Sequence, residues 1–377
     1  MPTAAELREE FLLDPDVTFL NHGSFGACPR PVFERYQLWQ RELEREPVDF
    51  IARRLPDLLA HARAAVAELV GARADDLTFV ENATTGVTMA MRSLDLRPGD
   101  EVLATNLEYG ACDLGWEWLC ARTGAHYVRA EVPLPLAHAD DVVDALFAQR
   151  SERTRAVFVS HITSETALRL PVEAIVARAR AAGLVSIVDG AHAPAQVPLD
   201  LEALGADFYS GNCHKWLCAP KGAGFLHVRA EHQGRVDGAV VSWGYREPAT
   251  FLSRTEMQGT RDPAAYLAVP DAIAFQRDRD WDDVRARCCA LALETCGRLC
   301  ALLGTEPIAA PELLAQMASV RLPAGCDGAA LQQRLWDEHR IEIPVMRPEQ
   351  DLLRISVACY TGREDVERLL DALPRML

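Results

Sequence analysis

Between Asp76 and Arg229, short runs of β-branched and aromatic residues alternate with stretches rich in Ala, Leu and Arg. Parallel strands need a long crossover connection, usually a helix, so this alternation implies βα units around a mostly parallel sheet. The expected strands are LTFV (77–80), EVLAT (101–105), AVFVSH (156–161), LVSIVD (184–189), ADFYSG (206–211) and GAGFLHV (222–228). Most are too apolar to leave a wet face, which suits a sheet covered by helices on both sides. A helix is expected over 172–182, because Pro171 precedes it and Gly183 follows.

Past a Pro- and Gly-punctuated stretch at 247–270 the texture changes. One long helix is expected over about 272–303, then strand MASVRLP (317–323), helix AALQQRLWDEHR (329–340) and strands IEIPV (341–345) and LLRISVA (352–358). The expected organisation is a large domain over 21–265 and a small C-terminal α+β domain over 266–377, with the N-terminal segment 1–20 packing on the latter.

A chain of 377 residues can bury a core large enough for an enzyme. The formal charge of −16 argues against nucleic acid or an anionic membrane as partner, since both demand clustered Lys and Arg. MPTAAELREEFLLDPD contains acids and no apolar h-region, so the expected location is cytoplasmic. Eleven cysteines without a CxxC pair argue against a disulfide framework and against a structural zinc site; no metal is expected.

The chemistry concentrates in SGNCHKWLCAPKGAGFL, where Lys215 follows a strand and His214 and precedes a Gly/Pro-rich turn. A lone lysine would read as a surface residue whose stem lies along the protein. Lys215 has company. Upstream by 26 residues, strand LVSIV ends in Asp189, followed by Gly190, Ala191 and His192. A carboxylate at a strand's C-terminal end faces the crevice where open α/β sheets bind ligands. Further upstream, LTFV leads into Glu81-Asn82-Ala83-Thr84-Thr85-Gly86 and a helix, so backbone N–H groups and hydroxyls gather at a helix N-terminus, a seat for phosphate.

The ordered segments NATTG, VDGAHA, SGNCHKWLCAPKGAG and LLRIS resemble the class V aminotransferase family of fold type I pyridoxal-phosphate enzymes, over nearly the whole chain. Within it, NHGSFGACPRPV, REPVDFIARRLPDLL and QGTRDPAAYLAVP are most similar to isopenicillin N epimerase and its bacterial relatives. The resemblance implies pyridoxal 5'-phosphate as cofactor, held as a Schiff base on Lys215, with Asp189 at the ring nitrogen and His192 beside the phenolic oxygen or the Schiff base. It implies Tyr109 stacked on the ring, and Ala83, Thr84, Thr85, Asn212 and His214 around the phosphate. Thr163 or Ser164 would reach the phenolic oxygen. Arg354 would hold the substrate carboxylate, with Asn21 and His22 lining the substrate pocket. Thr260 would reach the phosphate of a neighbouring subunit, which implies a homodimer with shared sites.

The implied substrate is an amino acid or amino-acid conjugate, attacked at its α-carbon. Epimerisation is the leading expectation, a C–S β-lyase or an aminotransferase the alternatives, and a non-catalytic cofactor-binding module the reading from a different class. A persulfide-forming desulfurase is disfavoured. The stretch VMRPEQD (345–351), where such enzymes carry a mobile cysteine, has none, and Cys326 precedes a helix in another loop. Thr361 stands after Tyr360 where relatives often have Asn, which leaves the substrate open.

Overall fold

The computed structural model describes residues 2–346 and 351–376. Its strands are β1 (Thr18–Phe19), β2 (Leu77–Val80), β3 (Glu101–Thr105), β4 (His126–Ala130), β5 (Thr154–Ser160), β6 (Val185–Gly190), β7 (Phe208–Asn212), β8 (Gly224–Val228), β9 (Met317–Arg321), β10 (Ile341–Glu342), β11 (Val345–Met346) and β12 (Leu352–Ser356). A seven-stranded sheet runs in the order β2-β8-β7-β6-β5-β3-β4. From β4 to β7 all neighbours are parallel, while β8 pairs antiparallel with both β7 and β2.

Alternation along each strand explains why both faces are dry. In β5, Ala156 and Phe158 join one apolar core, and Val157 and Val159 join the other. Helices such as Ala83–Arg92 and Gly110–Thr123 cover one face and Val172–Ala181 the other. All six expected strands form; β4 is additional. It lies at the sheet edge with His126 and Arg129 exposed, and an edge strand with one wet side lacks the continuous apolar run that marked the others.

Two expectations in the C-terminal region need correction. The single long helix is two, Val269–Arg277 and Trp281–Leu303, because Asp280 adopts a left-handed φ of 51° between them. A short polar side chain tolerates that conformation, which a continuing helix excludes. IEIPV is likewise two strands. β10 pairs in parallel with β1, whereas β11 pairs antiparallel with β12, which continues to β9. Pro344 lies between β10 and β11 and has no N–H to offer a ladder. Of VMRPEQD, residues 347–350 lie outside the described residues.

β1 ties the N-terminal segment to the C-terminal one. Leu20 donates its N–H to the Glu342 carbonyl, and its own carbonyl accepts from the Ser356 N–H. Among the described residues no helix is long and apolar enough to cross a membrane.

Candidate active site

A cavity of about 590 Å³ opens at the C-terminal ends of β5, β6 and β7. Thr84, Thr85, Tyr109, Ser164, Asp189, His192, Asn212, His214 and Lys215, scattered over more than a hundred positions, all line it. Connecting loops gather at this end because parallel strands all discharge their chains there.

Asp189 is the penultimate residue of β6. A Cβ on Gly190 beside it would lie 2.2 Å from the Tyr209 ring, so only glycine fits at the strand's end. Asp189 is 3% exposed; burial raises its pKa, opposed by the Ala191 N–H at 2.9 Å and by Lys215. The Cys112 thiol reaches its other oxygen at 3.5 Å.

Lys215 leaves the end of β7 with its Nζ 3.1 Å from His192 Nε2. Trp216 Nε1 donates to His192 Nδ1 at 3.3 Å, which puts the imidazole proton on Nε2 and aims it at the lysine lone pair. Burial drives His192 well below its ordinary pKa, so the ring is neutral. Burial, then the charge of Arg354, brings Lys215 down to about 7, with Asp189 pulling the other way. The result is a lysine that is substantially a free amine near neutrality.

His22 does not line this cavity. Its Nε2 donates to the Lys215 carbonyl at 3.0 Å, and its Nδ1 accepts from the Tyr360 hydroxyl at 2.7 Å. The turn that carries it passes so close that a Cβ on Gly26, at φ 72°, would lie 2.0 Å from the His214 carbonyl.

At the opposite end, Asn82 caps helix Ala83–Arg92 by accepting from the Thr85 N–H at 2.9 Å and hydroxyl at 3.2 Å. The Ala83 N–H is spent on Asn212 Oδ1 at 2.8 Å, which turns the Asn212 amide into a donor. Thr84, the Asn212 NH2 and the helix dipole could therefore hold an anion, with Ala83 acting through Asn212. His214 Nδ1 donates to the Ala223 carbonyl at 2.9 Å, and burial lowers it to about 4. Its neutral ring shows the cavity a lone pair, so donation to an anion requires a second proton.

Arg354, buried on β12, stands behind the cavity wall. Its Nη1 donates to the Ser164 carbonyl at 2.6 Å, and its Nη2 to Ser24 Oγ at 3.0 Å and Asn21 Oδ1 at 3.4 Å. Its Nε has no partner among the described residues. Asn21 also binds Glu342 at 2.9 Å, which fixes it beside the guanidinium and off the cavity surface. Thr163 is tied into its own turn, accepting from the Leu168 N–H at 2.8 Å and contacting Thr166 Oγ1 at 2.7 Å; Ser164 reaches the cavity. Thr260 is exposed and lies outside the lining residues, while its neighbour Arg261 pairs with Glu81 at 2.8 Å.

Ser24, Phe25, Glu81 and Ser160 line the cavity without having been singled out. Ser24 and Phe25 belong to NHGSFGACPRPV and Ser160 to AVFVSH, so the segments were visible though their orientation was not. Glu108, buried, accepts from Thr105 Oγ1 at 2.6 Å and from both the N–H and the hydroxyl of Ser160 at 2.7 Å. Burial lifts it to about 7. It sits beside Tyr109 in NLEYGA, and nothing in that stretch signals a carboxylate bound to another strand.

The sequence profile of the family "Aminotransferase class-V" matches residues 32–369. The chain is 41% identical to isopenicillin N epimerase of Amycolatopsis lactamdurans, covering 99% of this chain and 98% of that protein. It is 31% identical to a probable chloroplastic L-cysteine desulfhydrase of Arabidopsis thaliana, covering 98% and 85% respectively. Among solved structures, a lysine variant of C-DES with glycine covalently linked to its PLP cofactor superposes with a TM-score of 0.87 at 23% identity, covering the whole of both chains. The chain therefore belongs to the class V aminotransferase family, and is a fold type I enzyme with pyridoxal 5'-phosphate as its cofactor.

Proposed function

We propose that this enzyme epimerises an amino acid or amino-acid conjugate at its α-carbon, with Lys215 both holding the cofactor and moving the proton. The observation that carries the reading is a lysine brought down to about 7, 3.1 Å from a neutral His192, in a cavity with a carboxylate and an anion seat. The likeness to isopenicillin N epimerase supplies the reaction type.

The donor set fits the cofactor. The unspent Asn212 amide and Thr84 suit its phosphate, Ser164 suits its phenolic oxygen, and Asp189 suits a cationic ring nitrogen. Pyridoxal phosphate, when bound, supplies an electron sink that makes the substrate's α-proton acidic. Tyr109, on the cavity wall, would pack against the ring face. Arg354 would orient the substrate carboxylate through its planar fork once Ser24 and Ser164 yield their bonds. Asn21 would hold Arg354 in place. His22 would set the lysine's backbone, and the Nε2 proton of His192 would keep the Lys215 amine aimed into the cavity. Lys215 takes the α-proton, and delivery of a different proton to the opposite face, by Tyr109, His192 or a bound water, gives the epimer.

A second reading, a C–S β-lyase, draws on the likeness to the plant desulfhydrase and shares the first proton transfer. Turnover in deuterated water with amino acids and cysteine conjugates separates the readings. Solvent deuterium at the α-carbon of both enantiomers, without pyruvate or ammonia, is the expected outcome. Pyruvate with a released sulfur fragment establishes the lyase, and stoichiometric conversion of an added keto acid to an amino acid establishes transamination. Full cofactor binding without turnover of any substrate favours the non-catalytic module.

The proposed assembly is a homodimer in which Thr260 completes a neighbour's phosphate seat. Thr260 is exposed, and Val241 and Trp243 on the preceding stretch are about three-quarters exposed, as interface residues are in an isolated subunit. Mixed Lys215→Ala and Thr260→Ala subunits should regain activity, approaching about a quarter of wild-type sites if exchange is random. No recovery above the separate variants counts against shared sites.

A further inference from the structure

Asp76, Glu202 and His227 converge at the end of the large sheet remote from the cavity. β2 and β8 pair with Leu77 opposite His227, so Asp76, one residue before β2, comes beside that histidine. Glu202 arrives on the short helix Leu201–Leu204, its backbone N–H held by the Gly71 carbonyl at 2.9 Å. One potential ligand atom from each residue lies within 4.8 Å of the others.

His227 is the anomaly of the trio. It is 2% exposed, and neither ring nitrogen has a hydrogen-bond partner among the described residues. Its Nε2 faces Glu202 Oε1 at 4.0 Å, too far for a hydrogen bond. Buried polar groups in native proteins are almost always paired, so an imidazole with both nitrogens unspent, aimed at a carboxylate, calls for a ligand. Asp76 commits Oδ1 to Gln233 Nε2 at 2.6 Å, and its Oδ2 has Arg73 Nε at 3.6 Å.

A neighbouring trio marks the difference. In Asp207, Glu231 and His232, the His232 Nε2 already lies 3.0 Å from Asp207 Oδ1, and Asp207 Oδ2 accepts from both the N–H and the hydroxyl of Ser186. There the His232 Nε2 and both Asp207 oxygens are already engaged.

We propose that Asp76, Glu202 and His227 bind one Zn²⁺. An imidazole nitrogen with two carboxylate oxygens is a borderline donor set that suits zinc, whereas Ca²⁺ and Mg²⁺ favour oxygen throughout. Bonds of about 2.0–2.2 Å require the ligand atoms to close to about 3.3 Å of one another. The Glu202 side chain, 54% exposed, has the freedom to swing in, and water takes the fourth position. The cation would pin helix Leu201–Leu204 to the β2–β8 edge. Cysteine spacing gave no hint of zinc because this site uses no cysteine.

The test is Zn²⁺ titration of the cofactor-loaded enzyme after chelator dialysis, by calorimetry and by thermal melting. One saturable Zn²⁺ per site and a chelator-reversible rise in Tm are expected. Glu202→Gln, at the surface, should weaken binding at least tenfold without lowering the metal-free Tm, and His227→Asn should abolish it. Zinc affinity unchanged in Glu202→Gln overturns the proposal, as does the lack of a saturable site in the wild type.

Discussion

Lys215→Ala is expected to abolish covalent cofactor attachment and to slow α-proton exchange by about 10⁴-fold or more, since it removes both a nucleophile and a general base. Borohydride treatment of the wild type should give a pyridoxyl peptide containing Lys215, and the variant should give none. Lys221 is the built-in control: it is exposed and absent from the cavity wall. An adduct on Lys221 would overturn the assignment. The same lysine predicts a pH dependence. Capture of the aldehyde needs the neutral amine, and Lys215 sits at about 7 because burial penalises its charged form. Below pH 7 the capture rate of cofactor-stripped enzyme should fall about tenfold per unit, and above it should level off. A rate still climbing near pH 10 would show a lysine that is not desolvated.

Asp189→Asn should retain cofactor and lose turnover by about a thousandfold. The amide oxygen of asparagine can still accept from the Ala191 N–H, so the strand end survives. What disappears is the negative charge. In a site where burial already disfavours ionisation of Asp189, a cationic ring nitrogen opposite would hold the carboxylate charged, and the carboxylate would hold the nitrogen protonated. A neutral amide does neither. Cofactor content measured beside kcat separates this from misfolding, and unchanged turnover would remove Asp189 from the mechanism.

What could be read from the residues follows from how locally each was determined. Strands buried on both faces announce themselves as apolar runs, whereas β4, half-wet at the edge, does not. The break at Asp280 and the division of IEIPV at Pro344 depend on one residue's backbone conformation and on two different strand partners, neither of which periodicity can see. Asp189 and Lys215 were legible because a charged group at the end of an apolar strand is conspicuous. That His22 and Asn21 stand off the cavity wall was not legible, for the converse reason. NHGSFG shows which side chains are polar but not that His22 turns onto the Lys215 carbonyl, 193 positions away, or that Asn21 meets Arg354, 333 positions away. Ser164 and Thr163 are adjacent and chemically alike, and only the folded turn shows that the Thr163 hydroxyl is engaged within it while Ser164 lines the cavity.

The pairing of β1 with β10, and of His22 with Tyr360, bears on how the protein is made. A ribosome releases residues 18–26 well before their partners at 341–360, with the large sheet threaded between. Sheet strands β2 to β8 can collapse on one another while the chain is still growing, and Trp216 can already meet the ring of His22, but Leu20 lacks both of its backbone partners, and His22 its Tyr360 hydroxyl, until β10, β12 and Tyr360 emerge. Until then the large sheet is a scaffold with an unlatched pocket, the backbone of β1 still without its strand partner. That interval is when a holding chaperone has the most to cover, and it ends when β1 finds β10 and Leu20 finds Ser356.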